Sequence, residues 1–303
     1  MQNNMKQRIL YACKASVGIV FCVSAVLKLM SIDSFEIYIY QFQLFGMSFS
    51  YLVARALICM ELILGIALII NICKREVYIT ALLLLSFFTF FLLYVYFFRG
   101  NEENCHCFGD IIEIKPLPSI FKNILFIALL LVSKNAFPFL LKHDKIIGIS
   151  LSVAVLLTVF IISPPDNWLS SKSAELNEIA LKEAFANGIL DENDFFSDEK
   201  IICFYGLGCK FCELVDKKIG VIQKRHPDLE MNLIGIFWGS EEAHKNFIEE
   251  SGANYSKTYL IDPIVFLKIT NGTMPVVLVI KDGIITNKLK YRNIQENVFL
   301  ERH

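Results

Sequence analysis

The sequence predicts an α-helical transmembrane bundle, four spans plus a connecting fifth, followed by an α/β domain. Three observations carry this. The chain has 303 residues and is 55% hydrophobic, with a mean hydropathy of +0.51, too apolar for a wholly soluble protein. Its long apolar runs end near residue 163, and residues 164–303 read as ordinary mixed α/β sequence. A CxxC pair, Cys209-Lys210-Phe211-Cys212, falls where a strand pattern gives way to a helical one.

Five runs approach the ~20 residues that cross a hydrocarbon core. They are Ile9–Met30, Leu52–Ile72, Val77–Phe98, Ile120–Val132 and Ile146–Ile162, the last closed by Ser163-Pro164-Pro165. Lys14 and Lys28 lie near the ends of the first run, placed to snorkel. Arg55 is placed in the same way in the second. Glu61 lies deeper in that span, and an intramembrane acid is a candidate for ion pairing or proton handling. The plainer alternative is a stabilising Glu61–Arg55 pair or a hydrogen bond inside the bundle. The first apolar run is too long for a cleaved signal, lacks a small-residue cleavage site and is followed by further spans.

Lys and Arg in short loops orient a membrane chain. Lys6 and Arg8 precede span one, Lys74 and Arg75 follow span two, and Lys134, Lys142 and Lys145 follow span four. The first loop, 31–50, has none. The third, 99–116, offsets Arg99 and Lys115 with Glu102, Glu103, Asp110 and Glu113. This bias puts the N-terminus in the cytoplasm and loops one and three outside. The expected organisation is a four-helix membrane domain over 1–135, a loop and fifth span over 136–165, and an extracytoplasmic domain over 166–303. In a bacterium this is a multi-pass inner-membrane protein with its C-terminal domain in the periplasm, where disulfides persist. The lipid bilayer and an extracytoplasmic thiol or disulfide client are the expected partners. No basic stripe suits nucleic acid.

In the C-terminal half, a helix is expected over 173–186, a buried strand over 201–205 and a helix from Cys209 to about Lys224. A strand at 231–238 and a helix at 241–251 follow. Val276–Ile280, the Lys281-Asp282-Gly283 turn and Ile284-Ile285-Thr286 read as a hairpin. Two thiols on the first turn of a helix can close a disulfide, and the positive helix end stabilises a thiolate there. A structural disulfide or a zinc site is the alternative for Cys209 and Cys212. Zinc needs about four ligands, and no second CxxC or HxxxH follows. Cys105-His106-Cys107 lies in the third loop, on the same outer face as the CxxC. It reads as a redox relay, a static loop disulfide, or a metal site with His106.

The C-terminal half resembles the thioredoxin superfamily in Ile201–Gly206, the CxxC with its helix, Met274-Pro275 before an apolar strand, and the Lys281-Asp282-Gly283 hairpin. The long stretch between the CxxC and Pro275 is similar to the TlpA-type periplasmic thioredoxins. The resemblance implies a cis-Pro275 facing the disulfide, and a Met274 backbone that pairs with a bound substrate strand. Gly208 stands where the family has Trp, and Lys-Phe replaces Gly-Pro between the cysteines. The membrane half resembles DoxX-like proteins and, within them, MauE. The carrying residues are Gly18–Phe21, Ser24–Leu29, Glu61–Gly65 and Cys105-His106-Cys107-Phe108-Gly109. MauE works beside a thioredoxin-like partner, MauD, so this chain looks like both roles fused.

The expected function is thiol–disulfide exchange through Cys209 and Cys212, with a membrane domain that either recharges them through Cys105 and Cys107 or only anchors them, and with these disulfides, or a quinone as the alternative, as the redox groups. One alternative is a quinone-coupled oxidase of the vitamin K epoxide reductase type, although no span here carries that family's CxxC. The other is a non-catalytic assembly or metal-delivery factor.

Overall fold

The computed structural model describes residues 2–102, 104–134, 136, 143–168, 173–197, 199–229 and 231–300. Glu103 and Lys142, both counted among the loop charges, lie outside these. The chain forms two compact units, Met1–Ile39 with Tyr51–Pro164, and Tyr40–Ser50 with Pro165–His303.

The first unit contains α1 (Gln2–Met30), α2 (Ile32–Tyr40), α3 (Met47–Ile70), α4 (Lys74–Arg99), β1 (Cys107–Asp110), α5 (Pro116–Ser133) and α6 (Asp144–Ile162). All but α2 among the helices are long and apolar enough to cross a membrane, and the chain is a multi-pass membrane protein. Sequence chemistry marks the boundaries. Pro116 opens α5, Gly100 closes α4 at φ +86, and Pro164 and Pro165 follow α6. Val17, Phe21, Leu64, Leu68, Leu84 and Leu130 form part of a buried core. Phe90, Phe97, Phe98 and Ile161 are exposed, as lipid-facing residues should be.

Neighbouring long helices run in alternating directions. Tyr11 and Lys14 of α1 meet Ile69 and Asn71 at the end of α3. Cys73, just before α4, meets Asp144 at the start of α6. Gly18 and Gly65 let α1 and α3 approach closely: a Cβ on Gly65 would lie 2.6 Å from the Cys22 sulfur and 2.7 Å from the Gly18 carbonyl. Gly65→Ala is therefore expected to destabilise the bundle by about 1–3 kcal/mol through overpacking, against a helix-propensity gain of about 1 kcal/mol. Thermal unfolding in detergent checks this, and an unchanged or raised midpoint would contradict it.

Three expectations for the membrane charges need correcting. Lys14 and Lys28 do not snorkel: both are buried, Lys14 donating to Asn71 Oδ1 at 2.7 Å and Lys28 to both Glu61 oxygens at 2.8 Å. Arg55 does not snorkel either. Its partner is Glu36 on α2, not Glu61. Residues six apart lie on different faces of a helix, so Arg55 and Glu61 cannot meet. The helix α2 was not expected in the first loop. It packs Phe35, Ile37 and Tyr38 inward.

The second unit contains α7 (Glu178–Ala186), α8 (Glu192–Phe196), β2 (Lys200–Gly206), α9 (Lys210–Arg225), β3 (Leu233–Trp238), α10 (Glu241–Glu250), β4 (Lys257–Leu260), α11 (Pro263–Ile269), β5 (Val276–Lys281), β6 (Ile284–Leu289) and α12 (Glu296–Leu300). The five-stranded sheet has the order β4-β3-β2-β5-β6. Strands β2, β3 and β4 are parallel, and β5 runs antiparallel to both its neighbours, β2 and β6. This is a thioredoxin-like fold. The helix expected from residue 173 starts at Glu178, because the Asn177 side chain caps it by accepting from the Ala180 N–H. Asp282 and Gly283 turn the hairpin with φ of 51° and 73°, the left-handed pair such a turn requires. Strand β4 was not expected. It is a half-exposed edge with no apolar alternation. Residues 40–50 join this unit through Arg225, which donates to the Tyr40 and Phe45 carbonyls at 3.3 and 2.7 Å.

Candidate active site

All seven residues of β2 are buried, and the strand ends at Gly206. Gly208, at φ +80, turns the chain so that Cys209 becomes the N-cap of α9. The Cys209 side chain makes no capping hydrogen bond and is half-buried. One turn on, Cys212 is fully buried, its N–H donating to the Cys209 carbonyl at 2.9 Å. Burial first, and then the neighbouring Cys209 sulfur, push the Cys212 thiol well up. The pair is therefore asymmetric, with an accessible sulfur on a positive helix end above a thiol held protonated. Lys210 and Phe211, between them, are exposed.

The Met274–Pro275 peptide is cis. Phe204 pairs with Val276, which brings Pro275 beside the end of β2. Gly206 makes room for two side chains, since a Cβ there would lie 2.5 Å from the Met274 sulfur and 2.7 Å from Trp238 Nε1. Trp238 thus lies with Met274 at the end of β2, and the sequence reading missed it because only the β2–β3 register places it there. Another unforeseen group is Asp216, buried one turn beyond Cys212. Its carboxylate accepts from Tyr255 Oη at 2.6 Å, Ser251 Oγ at 2.7 Å and the Gly252 N–H at 2.8 Å. Burial nevertheless raises its pKa.

The second cysteine pair sits in the first unit. His106 adopts φ +50 between the two cysteines, which supplies the turned backbone a CxC needs. Cys105 is buried and Cys107 partly so. The Cys105 sulfur lies 3.0 Å from Ser119 Oγ and accepts from the Cys107 N–H at 3.4 Å. His106 Nδ1 lies 2.8 Å from the Asp110 carboxylate, and its ring packs on Tyr38. Ser24 Oγ lies 2.7 Å from the Cys107 carbonyl, which can accept from it, and 3.0 Å from Glu61 Oε2. Lys28 donates to Ser24 Oγ at 2.7 Å as well as to Glu61. Glu61 thus reaches the loop pair through Ser24 and Lys28. Arg55 stands elsewhere, bonded to Glu36, Tyr51, Ser163 and Pro164. The sequence did hold a signal for the missed Ser24–Lys28 pair, two polar residues four apart on one helix face.

Residues 6–134 match the family "Methylamine utilisation protein MauE". This stretch spans α1 to α5 with the CxC loop. Along nearly its whole length the chain is similar to Protein TlpB of Flavobacterium psychrophilum, 29% identical over 350 residues, covering 95% of this chain and 92% of that one. Among solved structures, a DsbF homologue from Corynebacterium diphtheriae aligns with 36% of this chain and 71% of its own, at 16% identity and a TM-score of 0.28.

Proposed function

We propose that this protein is a membrane-anchored thiol–disulfide oxidoreductase that exchanges with extracytoplasmic client proteins through Cys209 and Cys212. The observation that carries this reading is the asymmetry of the CxxC, with Cys209 half-exposed at the N-terminus of α9 over buried Cys212, beside a cis Met274–Pro275. The MauE match and the similarity to Protein TlpB agree with it.

In the reducing direction, the Cys209 thiolate attacks one sulfur of a client disulfide, forms a mixed disulfide and releases the other client sulfur as a thiolate. Cys212 then gives up its proton and attacks the Cys209 sulfur. The Cys209–Cys212 disulfide closes, and the client leaves carrying two electrons. Oxidation of a client dithiol is the same sequence reversed. Met274 and Pro275 form the wall against which the client strand lies. Cys105 and Cys107 recharge the pair by the same exchange. Loop charges orient the chain with its N-terminus in the cytoplasm and both dithiols outside, in a bacterial inner membrane. The exchange uses only sulfur chemistry. A quinone would serve as the membrane unit's terminal electron carrier.

Full-length Cys212→Ser is expected to accumulate client proteins on Cys209 as mixed disulfides, seen as reductant-sensitive adducts after acid quenching and alkylation. The Cys209→Ser/Cys212→Ser chain should lose them. If Cys212→Ser carries no adduct, the CxxC is not an exchanging pair.

A further inference from the structure

We propose that Cys107 is the exchanging sulfur of the loop pair, that Cys105 is its resolving thiol, and that Lys28, held by Ser24 and Glu61, is the positioning residue whose charge faces Cys107. This deepens the reading above and rests on its assignment of the CxC as redox-active.

The two loop cysteines are not equivalent. Cys105 is 4% exposed, with its sulfur engaged by Ser119 Oγ and the Cys107 N–H. Cys107 as a whole residue is only partly buried. Cationic groups converge on it from two helices. Lys28 of α1 is tied to the Cys107 peptide through Ser24, by contacts of 2.7 Å on each side of the hydroxyl. Lys122 of α5 lies 4.4 Å over the ring of Phe108, the next residue. Glu61 of α3 grips Lys28 with both oxygens. Tyr96 of α4 packs in the same small cluster as both cysteines, and the His106–Asp110 pair borders it in the loop. A buried lysine is costly in a membrane bundle. Placing Lys28 at the end of α1, fixed by a carboxylate and a hydroxyl that also reaches the loop, gives that cost a use. A hydrogen bond from Cys105, followed by Lys122 and Lys28, outweighs burial and lowers the Cys107 thiol, while the Cys107 sulfur and burial push Cys105 well up.

The step balances as follows. The Cys107 thiolate attacks one sulfur of a partner disulfide. That bond breaks, a Cys107–partner disulfide forms, and the second partner sulfur leaves as a thiolate. Cys105 passes its proton to this leaving thiolate and attacks the Cys107 sulfur. The Cys105–Cys107 bond closes and the other partner sulfur leaves as a thiolate. Two electrons and one proton have moved from the loop pair to the partner, which is Cys209–Cys212 in the proposed cycle.

Peptide-resolved alkylation of the reduced full-length protein in nanodiscs, with iodoacetamide from pH 5 to 9, tests the assignment. Cys107 should react with a midpoint below that of an ordinary thiol, and Cys105 about 10-fold or more slowly at neutral pH. Lys28→Met should raise the Cys107 midpoint by about one unit, and Lys28→Arg should restore it. Ser24→Ala, which leaves every charge in place, should raise it by less, and this variant decides if Lys28→Met does not fold. Faster alkylation of Cys105, or a Cys107 midpoint unmoved in the folded variants, overturns the proposal. A Cys105→Ser/Cys212→Ser chain tests the relay separately. A Cys107–Cys209 mixed disulfide supports it. Its absence, with the alkylation profile intact, overturns recharging of the CxxC and leaves Cys107 as the reactive thiol.

Discussion

Cys209→Ser in the full-length protein is expected to slow reduction of insulin disulfides by about 1000-fold or more. Removing a nucleophile that works as a unit with its neighbour has effects of this size. The thiolate is the attacking species in disulfide exchange, and a serine hydroxyl does not ionise at neutral pH. The substitution is also structurally mild. Cys209 makes no side-chain capping bond, and serine is itself a favoured N-cap, so thermal unfolding should be unchanged or slightly improved. The activity loss would then be chemical and not a loss of fold. Residual activity within about 10-fold of the parent, on a folded protein, would move the exchanging sulfur elsewhere in the chain.

The largest stability effect is expected at Arg55. Its side chain is 2% exposed. The guanidinium pairs with Glu36 and donates to the carbonyls of Tyr51 at 2.8 Å, Ser163 at 2.7 Å and Pro164 at 3.0 Å. One side chain on α3 thus holds α2 and the end of α6. Arg55→Met takes the cation from a buried carboxylate and the donor from three carbonyls, and should cost about 3–5 kcal/mol. Denaturant unfolding in detergent micelles measures this. Arg55→Met/Glu36→Leu should recover much of the loss, because it is the uncompensated buried charge that is expensive. A single variant within about 1 kcal/mol of the parent would show that the network is incidental to stability.

Much of the fold was legible, and for identifiable reasons. All five long helices were placed within several residues of their ends, because crossing a membrane demands an apolar run that is visible in one dimension. Strands β2, β5 and β6 announced themselves through apolar runs and an Asp-Gly turn. Strand β4 did not, since an edge strand exposed as Lys257–Leu260 is needs no apolar pattern. Helix α2 was hidden because it is too short to span a membrane and lies in a loop read only for its charge. The charged residues were the hardest to place. Arg55 and Glu61 were natural partners by distance along the chain, yet helical rotation separates them, and each finds its partner on another helix.

The sequence by itself determined where the chain is apolar, where two cysteine pairs lie, and that one pair opens a helix after a strand. These are properties of adjacent residues. Only the tertiary structure decided that Glu61 serves Lys28 and Arg55 serves Glu36, that Ser24 reaches the CxC loop 83 positions away, and that Met274 and Trp238 flank Gly206. Such pairings depend on which helices and strands become neighbours. A buried charge takes the partner that packing brings within reach, however far away it stands in the chain.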